Sequence, residues 1–187
     1  MSYLCVDGLD MTGKSTQCEL LAQRLLDYRY NVFKTKEPKN ESLRALVKEF
    51  TYPYAVNYLF GVDALAHVYE QVIPYLQDTP NSHVVQDRSF RVCVPIYSRH
   101  EPNLGWFMHE NPDFQCLPKY SLLIILDVPV PELIKRRQER EVTWEHDRAK
   151  ESVLQQRRVQ YLGLATSPYI ETVARQTVVI SGLGAVH

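Results

Sequence analysis

Gly8 and Gly13, the latter followed at once by Lys14 and Ser15, bracket four residues in the stretch GLDMTGKST over residues 8–16. That spacing lets a backbone wrap around a phosphate group. The glycines keep a Cβ out of the cradle. Backbone N–H groups from Gly8 to Thr16, including those of Met11, Thr12 and Gly13, supply donors, and the next helix adds the positive end of its dipole. Lys14 is placed to reach the outer phosphates, and the Ser15 hydroxyl to ligate Mg²⁺. Such a loop needs a strand before it and a helix after it. Residues 3–6 form an apolar run, and Cys18, Leu21, Ala22 and Leu25 recur at i, i+3, i+4 and i+7. A glycine turn matching the pattern by chance would not bring both neighbours with it.

The rest of the chain repeats this alternation. Candidate strands cover residues 3–6, 31–35, 83–86, 121–126 and 177–180, with helical periodicity between them. The pattern predicts an α/β fold on a parallel sheet. Asp7 and Asp87 end the first and third runs, and Asp127 follows the fourth. Ligands sit beyond the carboxyl ends of strands in such sheets, although an aspartate there also caps helices. No repeat and no low-complexity linker divides the chain, so residues 1–187 read as one domain.

Charge and composition exclude several classes. The formal charge is −1, from 21 Lys and Arg against 22 Asp and Glu. It provides no global field for a polyanion and argues against a nucleic-acid partner. Hydrophobic residues at 45% and charged ones at 23% are an ordinary globular balance, not that of a disordered chain. The longest apolar runs, such as residues 122–126, fall far short of a bilayer span. The N-terminus has neither the basic start nor the long apolar stretch of a signal peptide. Cys5, Cys18, Cys93 and Cys116 lie far apart and read as reduced thiols of a cytoplasmic protein.

Helices are expected over residues 14–28, 42–50, 54–76, 131–140 and 147–165. In the third, Ala55, Leu59, Val62, Ala66, Tyr69 and Ile73 form an apolar stripe expected to face the core. Phe60, Asp63, Ala64 and His67 form a different face, and Pro74 is expected to kink or end the helix. Residues 99–119 read as a long surface loop, and about 138–148 as a lid.

An ordered set of motifs narrows the reading. DGLDMTGKSTQ, residues 7–17, resembles the phosphate loop of the thymidylate kinases, a family of nucleoside monophosphate kinases. TKEP at 35–38 resembles the family's Thr-Arg-Glu-Pro, and LFGVDALAH at 59–67 its Leu-Phe-Ala-x-Asp-Arg-x-x-His. Asp87-Arg88 matches its Asp-Arg pair; LDVPVPELIKRR at 126–137 and RRVQYLGLA at 157–165 resemble its lid approach and its last long helix. The resemblance implies a three-layer P-loop kinase fold, a five-stranded parallel sheet flanked by helices. It also implies ATP and Mg²⁺ as cofactors, phosphorylation of dTMP to dTDP, a closing lid, and a homodimer through the long helix.

Phosphoryl transfer requires alignment and neutralised charge more than covalent help. Lys14 reads as the loop cation, Ser15 and Asp87 as the Mg²⁺ ligands, and Arg88 as the fork that grips the acceptor phosphate. Like charge keeps Asp10 from the ATP phosphates; the resemblance assigns it to the acceptor sugar or the metal. The resemblance also implies that Phe60 stacks on the acceptor base, with Glu37 and Asp63 in the same site. Some thymidylate kinases carry an arginine where this chain has Met11, which cannot stabilise developing charge. Arg136, Arg137, Arg140 or Arg148 is expected to replace it, Arg140 first, with Arg136 and Arg137 beside ATP. Any one of them also reads as a solvated helix cation, and Phe60 as a core aromatic.

The departures from the family lie on the acceptor side. Ala64 replaces a base-contacting arginine and is expected to leave space there. Ser89-Phe90 replaces a tyrosine, Cys93 falls near a base-reading position, and Lys39-Asn40 replaces glycines. The chain stops at His187 without the family's terminal helix, which would suit a pared-down viral or phage member. Asp87-Arg88-Ser89 resembles the Glu-Arg-Ser of deoxynucleoside kinases, which stand as an alternative. A kinase for a modified pyrimidine nucleotide or DNA base is another. A non-catalytic nucleotide-binding regulator is the third, against which Lys14, Ser15 and Asp87 argue.

Overall fold

Strands rich in Val, Ile and Leu, buried on both faces, pair in parallel and need helices to cross between them. A computed structural model describes residues 1–50, 53–97, 111–139 and 149–182. Its strands are β1 (Ser2–Gly8), β2 (Asn31–Lys36), β3 (Ser82–Asp87), β4 (Leu122–Asp127) and β5 (Thr177–Ser181). They form one parallel sheet, as the alternation predicts, and its strand order is β2-β3-β1-β4-β5. The central strand β1 has Val6 opposite Asp87 on one side and Gly8 opposite Leu126 on the other. The chain turns to opposite sides of the sheet around β1, so the loop after Gly8 opens at the switch point where such sheets bind ligands.

Side chains alternate between two cores. Val6, Val85 and Leu126 pack with Cys18 and Ala22 of α1 (Lys14–Asp27). Cys5, Val84, Leu123 and Ile125 point into a larger core on the opposite face. The two packed faces make three layers.

The second expected helix divides into α2 (Glu41–Leu46) and a 3₁₀ turn, Val47–Glu49. Asn40 caps α2, its side chain accepting from the Ser42 and Leu43 N–H groups. The third contains α3 (Pro53–His67), a π turn at Val68–Val72 and α4 (Ile73–Asp78). Pro74 therefore does not end the helix: it lies at the start of α4, after the π turn has shifted the hydrogen-bond register. The face expected to be buried is corrected too. Val62 is 57% and Tyr69 41% exposed, and Ala66 is exposed. Gly61, Ala64 and His67 of α3, with Val68 of the π turn, are the buried residues: α3 packs on α5 (Phe90–Tyr97), and His67 meets Thr35 of β2.

Among residues 99–119, Pro112–Gln115 forms a short helix, α6. Residues 99–110 lie outside the described residues. The last expected helices are α7 (Val130–Gln138) and α8 (Glu151–Ala165). Two helices fall outside the expected set, α5 and α9 (Pro168–Val173), the latter started by Ser167 and Pro168. Among the described residues no helix is long and apolar enough to cross a membrane.

A buried polar chain ties the sheet to the segment after β3. Tyr3 Oη donates to Gln86 Oε1, and Gln86 Nε2 donates to the Arg88 carbonyl (2.9 Å) and to Tyr120 Oη (3.0 Å). Tyr120 Oη in turn donates to Ser89 Oγ at 2.8 Å. Tyr120→Phe would strand two buried partners and should lower stability by about 1–3 kcal/mol in urea unfolding. A change below about 0.5 kcal/mol, the range of an ordinary surface substitution, would contradict this account.

Candidate active site

The loop leaving β1 has a backbone that only part of its sequence tolerates. Gly8 has φ +142°, and a Cβ there would lie 2.6 Å from the Leu126 carbonyl oxygen. Gly13 caps α1 with φ +93°, with nothing within 4 Å of an added Cβ. Met11, between them, is also left-handed at φ 67°. Thr12 Oγ1 donates to the Leu9 carbonyl at 2.8 Å, which closes the turn, and Thr16 is exposed on the first turn of α1.

Lys14 is buried, and its Nζ donates to the carbonyls of Leu9 (2.7 Å) and Gly8 (3.1 Å), 3.8 Å from Asp10 Oδ1. Burial, and next the Arg88 charge, pull its pKa below the ordinary lysine value; Asp10, Asp7 and Asp87 oppose them. The Ser15 hydroxyl donates to Asp87 Oδ2 at 2.5 Å, bringing together two oxygen groups 72 residues apart in sequence. Arg88, at φ 72°, donates from its N–H to the Val6 carbonyl at 2.9 Å, and its guanidinium pairs with Asp10. Burial works against the charge on both partners, yet the pairing wins: Asp10 is held below the usual carboxylate range and Arg88 well above the usual arginine value.

Beneath the loop, Asp7 accepts from the N–H groups of Gly8 (2.7 Å) and Ser89 (2.8 Å) and from Tyr161 Oη (3.1 Å). Burial raises its pKa, with Arg88 and Lys14 acting against it. Cys93 turns its thiol to this carboxylate and to Tyr161; burial, then Asp7, push that thiol up to about 12, so it is neutral.

On the other flank, Glu37 is buried, accepting from the Phe90 N–H at 2.6 Å, with His67 Nδ1 3.5 Å from its second oxygen. Thr35 Oγ1 meets His67 Nε2 at 2.8 Å. Asp63 accepts from the N–H groups of Lys39 (2.6 Å) and Asn40 (3.0 Å), fixing the segment where glycines were expected. Phe60 is partly buried against the large core. Ala64 is only 3% exposed within that core, so the space expected beside it is filled by packing.

Arg136 donates to Glu132 (2.7 Å) and to the Met11 carbonyl (3.3 Å), and Arg137 to the Ala149 carbonyl (2.8 Å). Arg140 and Arg148, and with them most of the expected lid, lie outside the described residues. Asp127, expected near the chemistry, instead makes a two-pronged pair with Arg158, at 2.6 and 2.8 Å. Sequence reasoning missed Tyr161 and Arg157. They sit at i and i+4 on α8, and that spacing was the available signal.

Among the described residues no group of three or more His, Cys, Asp or Glu forms a metal cage. Mg²⁺ does not need one: it keeps most of its waters and takes one or two protein oxygens plus phosphate. The Ser15–Asp87 pair fits that demand.

The model of the family described as "Thymidylate kinase" matches residues 6–179. The chain belongs to that family. It is therefore a phosphotransferase of the nucleoside monophosphate kinase class. A "Probable thymidylate kinase" of Pyrococcus horikoshii is 31% identical over 176 residues, covering 87% of this chain and 82% of the relative. One from Thermococcus onnurineus is 30% identical over 178 residues, with 87% and 83% covered. A "Thymidylate kinase" of Chlamydia felis is 28% identical over 151 residues, with 73% and 70% covered.

Thymidylate kinase membership leaves the Asp10–Arg88 pair as a stability element that pH can probe. With its folded pKa depressed, Asp10 contributes fully above its unfolded value of about 3.9, and the contribution is lost as pH falls through the lower folded value. Asp7 has the opposite sign: its raised pKa means stability is lost as pH rises through the folded value. Asp10→Asn should flatten the acid limb of the urea midpoint between about pH 5 and 2. Parallel acid limbs for the two proteins would disprove the pairing.

Proposed function

We propose that the chain transfers the γ-phosphoryl group of ATP to dTMP, giving dTDP and ADP. The observation that carries this is the Ser15–Asp87 pair beside the buried Lys14 and the Asp10–Arg88 pair, all at the carboxyl ends of β1 and β3 in a thymidylate kinase family chain. Gly8, Met11, Thr12, Gly13, Lys14, Ser15 and Thr16 cradle the ATP phosphates, with Arg136 and Arg137 alongside. Ser15 and Asp87 hold Mg²⁺, which supplies charge neutralisation on the phosphates. In the Ser15–Asp87 contact the hydroxyl proton points at the carboxylate, so the hydroxyl lone pairs remain for a hard cation.

Arg88 grips the acceptor phosphate, and Asp10, already paired with it, holds the fork in place. Phe60 stacks on the base. Glu37 and Asp63 act through the backbone they secure, the Phe90 N–H and the segment after Pro38. The lid over about 138–148 closes on both nucleotides, and Arg140 belongs to it. All four cysteines are free, which suits a reducing cytoplasm. The exposed Val62, Ala66 and Tyr69 form an apolar face on the long helix, fit for an isologous homodimer. Val62→Asp should then shift the protein towards monomer in light scattering. An unchanged mass would overturn the dimer.

The deciding experiment offers ATP, Mg²⁺ and a panel of nucleosides and monophosphates and follows ADP release. Turnover on dTMP is expected, with measurable turnover on dUMP, because Ala64 gives the base no hydrogen-bond donor and discrimination drops by about 1–3 kcal/mol. Lys14→Ala should fold but lose roughly a hundredfold or more in rate. Activity only on free nucleosides would favour a deoxynucleoside kinase, and near-normal turnover of Lys14→Ala would sink the phosphate-loop assignment.

A further inference from the structure

Arg157 of α8 stacks its guanidinium over the Tyr97 ring, 4.5 Å from the centroid. It shares one cleft with Asp10, Met11, Tyr97 and Arg137. The other arginines on this side are committed. Arg88 pairs with Asp10, Arg136 bridges Glu132 and the Met11 carbonyl, Arg137 reaches the Ala149 carbonyl, and Arg158 holds Asp127. Arg157, in contrast, has no hydrogen bond and no ion pair among the described residues. Its face is fixed by the tyrosine, while its edge, which carries the N–H donors, is unspent.

We propose that Arg157 supplies the positive charge that Met11 cannot, contacting the transferring phosphoryl group from the cleft it shares with Asp10 and Met11. The inference rests on the phosphotransferase reading given above. In the step itself, an oxygen of the acceptor phosphate forms the new bond to the γ-phosphorus. The bond from that phosphorus to the β–γ bridging oxygen breaks, and its electron pair stays on ADP. Arg157 exchanges no proton; it steadies the charge spread over the oxygens in transit.

A cation on Tyr97 is set apart from the lid in one respect. It is carried by a helix of the folded domain and stacked in advance, so little side-chain freedom is lost when phosphate arrives. It lines one cleft with Asp10, the residue assigned to the acceptor side, which sets it beside the acceptor rather than over the adenine.

Steady-state kinetics with ATP and dTMP test this on wild type, Arg157→Ala and the Lys14→Ala control. Arg157→Ala is expected to lower kcat roughly a hundredfold with KM for ATP changed less than about threefold, since the contact is made mainly in the transition state. Guanidinium ion added at millimolar concentration should restore part of that rate, which repair of a packing defect would not do. A loss below about tenfold, a loss wholly in KM, or no rescue overturns the assignment. Should Arg157→Ala fold poorly, Arg157→Gln, which keeps a planar group over Tyr97, carries the same outcomes. Wild type that releases no ADP with any monophosphate brings down the functional reading and this proposal with it. Active wild type with an undiminished Arg157→Ala removes Arg157 alone.

Discussion

Asp7 carries a carboxylate with no exposure to solvent, directly under the phosphate loop. An ion removed from water costs several kcal/mol unless hydrogen bonds replace its hydration. Here the replacement comes from three parts of the chain: the Gly8 N–H at the end of β1, the Ser89 N–H after β3, and Tyr161 Oη on α8. The same atoms that make the carboxylate tolerable therefore set the loop, the Arg88 turn and the last long helix in one relative position. Arg88 has a left-handed backbone, a strained choice for a side chain of its size, and the Ser89 contact is one of the bonds that holds it there.

Above that anchor the charges are interdependent. Burial is the main effect that pulls the Lys14 pKa down, and repulsion from Arg88 adds to it; three aspartates, Asp10, Asp7 and Asp87, oppose the effect. Asp10 stands between the two cations, paired with Arg88 and 3.8 Å from Lys14. Removing it would leave the buried Lys14 and the half-buried Arg88 facing each other, so substitutions at these three positions should be strongly non-additive. Local charge in this group is arranged by geometry, because the whole-chain charge of −1 says nothing about it.

What could be read from sequence, and what could not, divides along the same line. The phosphate loop was legible because its meaning is local: Gly8, Gly13, Lys14 and Ser15 act within one turn of backbone. The inner strands β1, β3 and β4 were legible because runs buried on both faces are largely apolar, and the exposed edge strands β2 and β5 because they fall in step with the same alternation of strand and helix. The meeting of Ser15 with Asp87 followed once both were known to sit at carboxyl ends of neighbouring strands in a parallel sheet. The Asp7–Tyr161 contact spans 154 residues and rests on how α8 crosses the sheet, which no periodicity encodes.

The face of α3 makes the physical reason plain. Hydrophobicity ranked Val62 and Tyr69 as core and Ala64 and His67 as a binding face, and packing reversed the order. Where α3 packs on α5, the buried position favours small volume, and Ala64 sits there in one core with Phe90, Val92 and Val94. His67 enters the interior because Thr35 on β2 meets its Nε2 at 2.8 Å, while the Glu37 carboxylate, just past the strand, lies 3.5 Å from Nδ1, too far for a hydrogen bond. The π turn then adds a residue to the helix and brings Val68 and Val72 together onto the buried side. A sequence pattern records transfer preference one residue at a time; which face is buried is decided by volume and by polar partners that lie some thirty residues away in the chain.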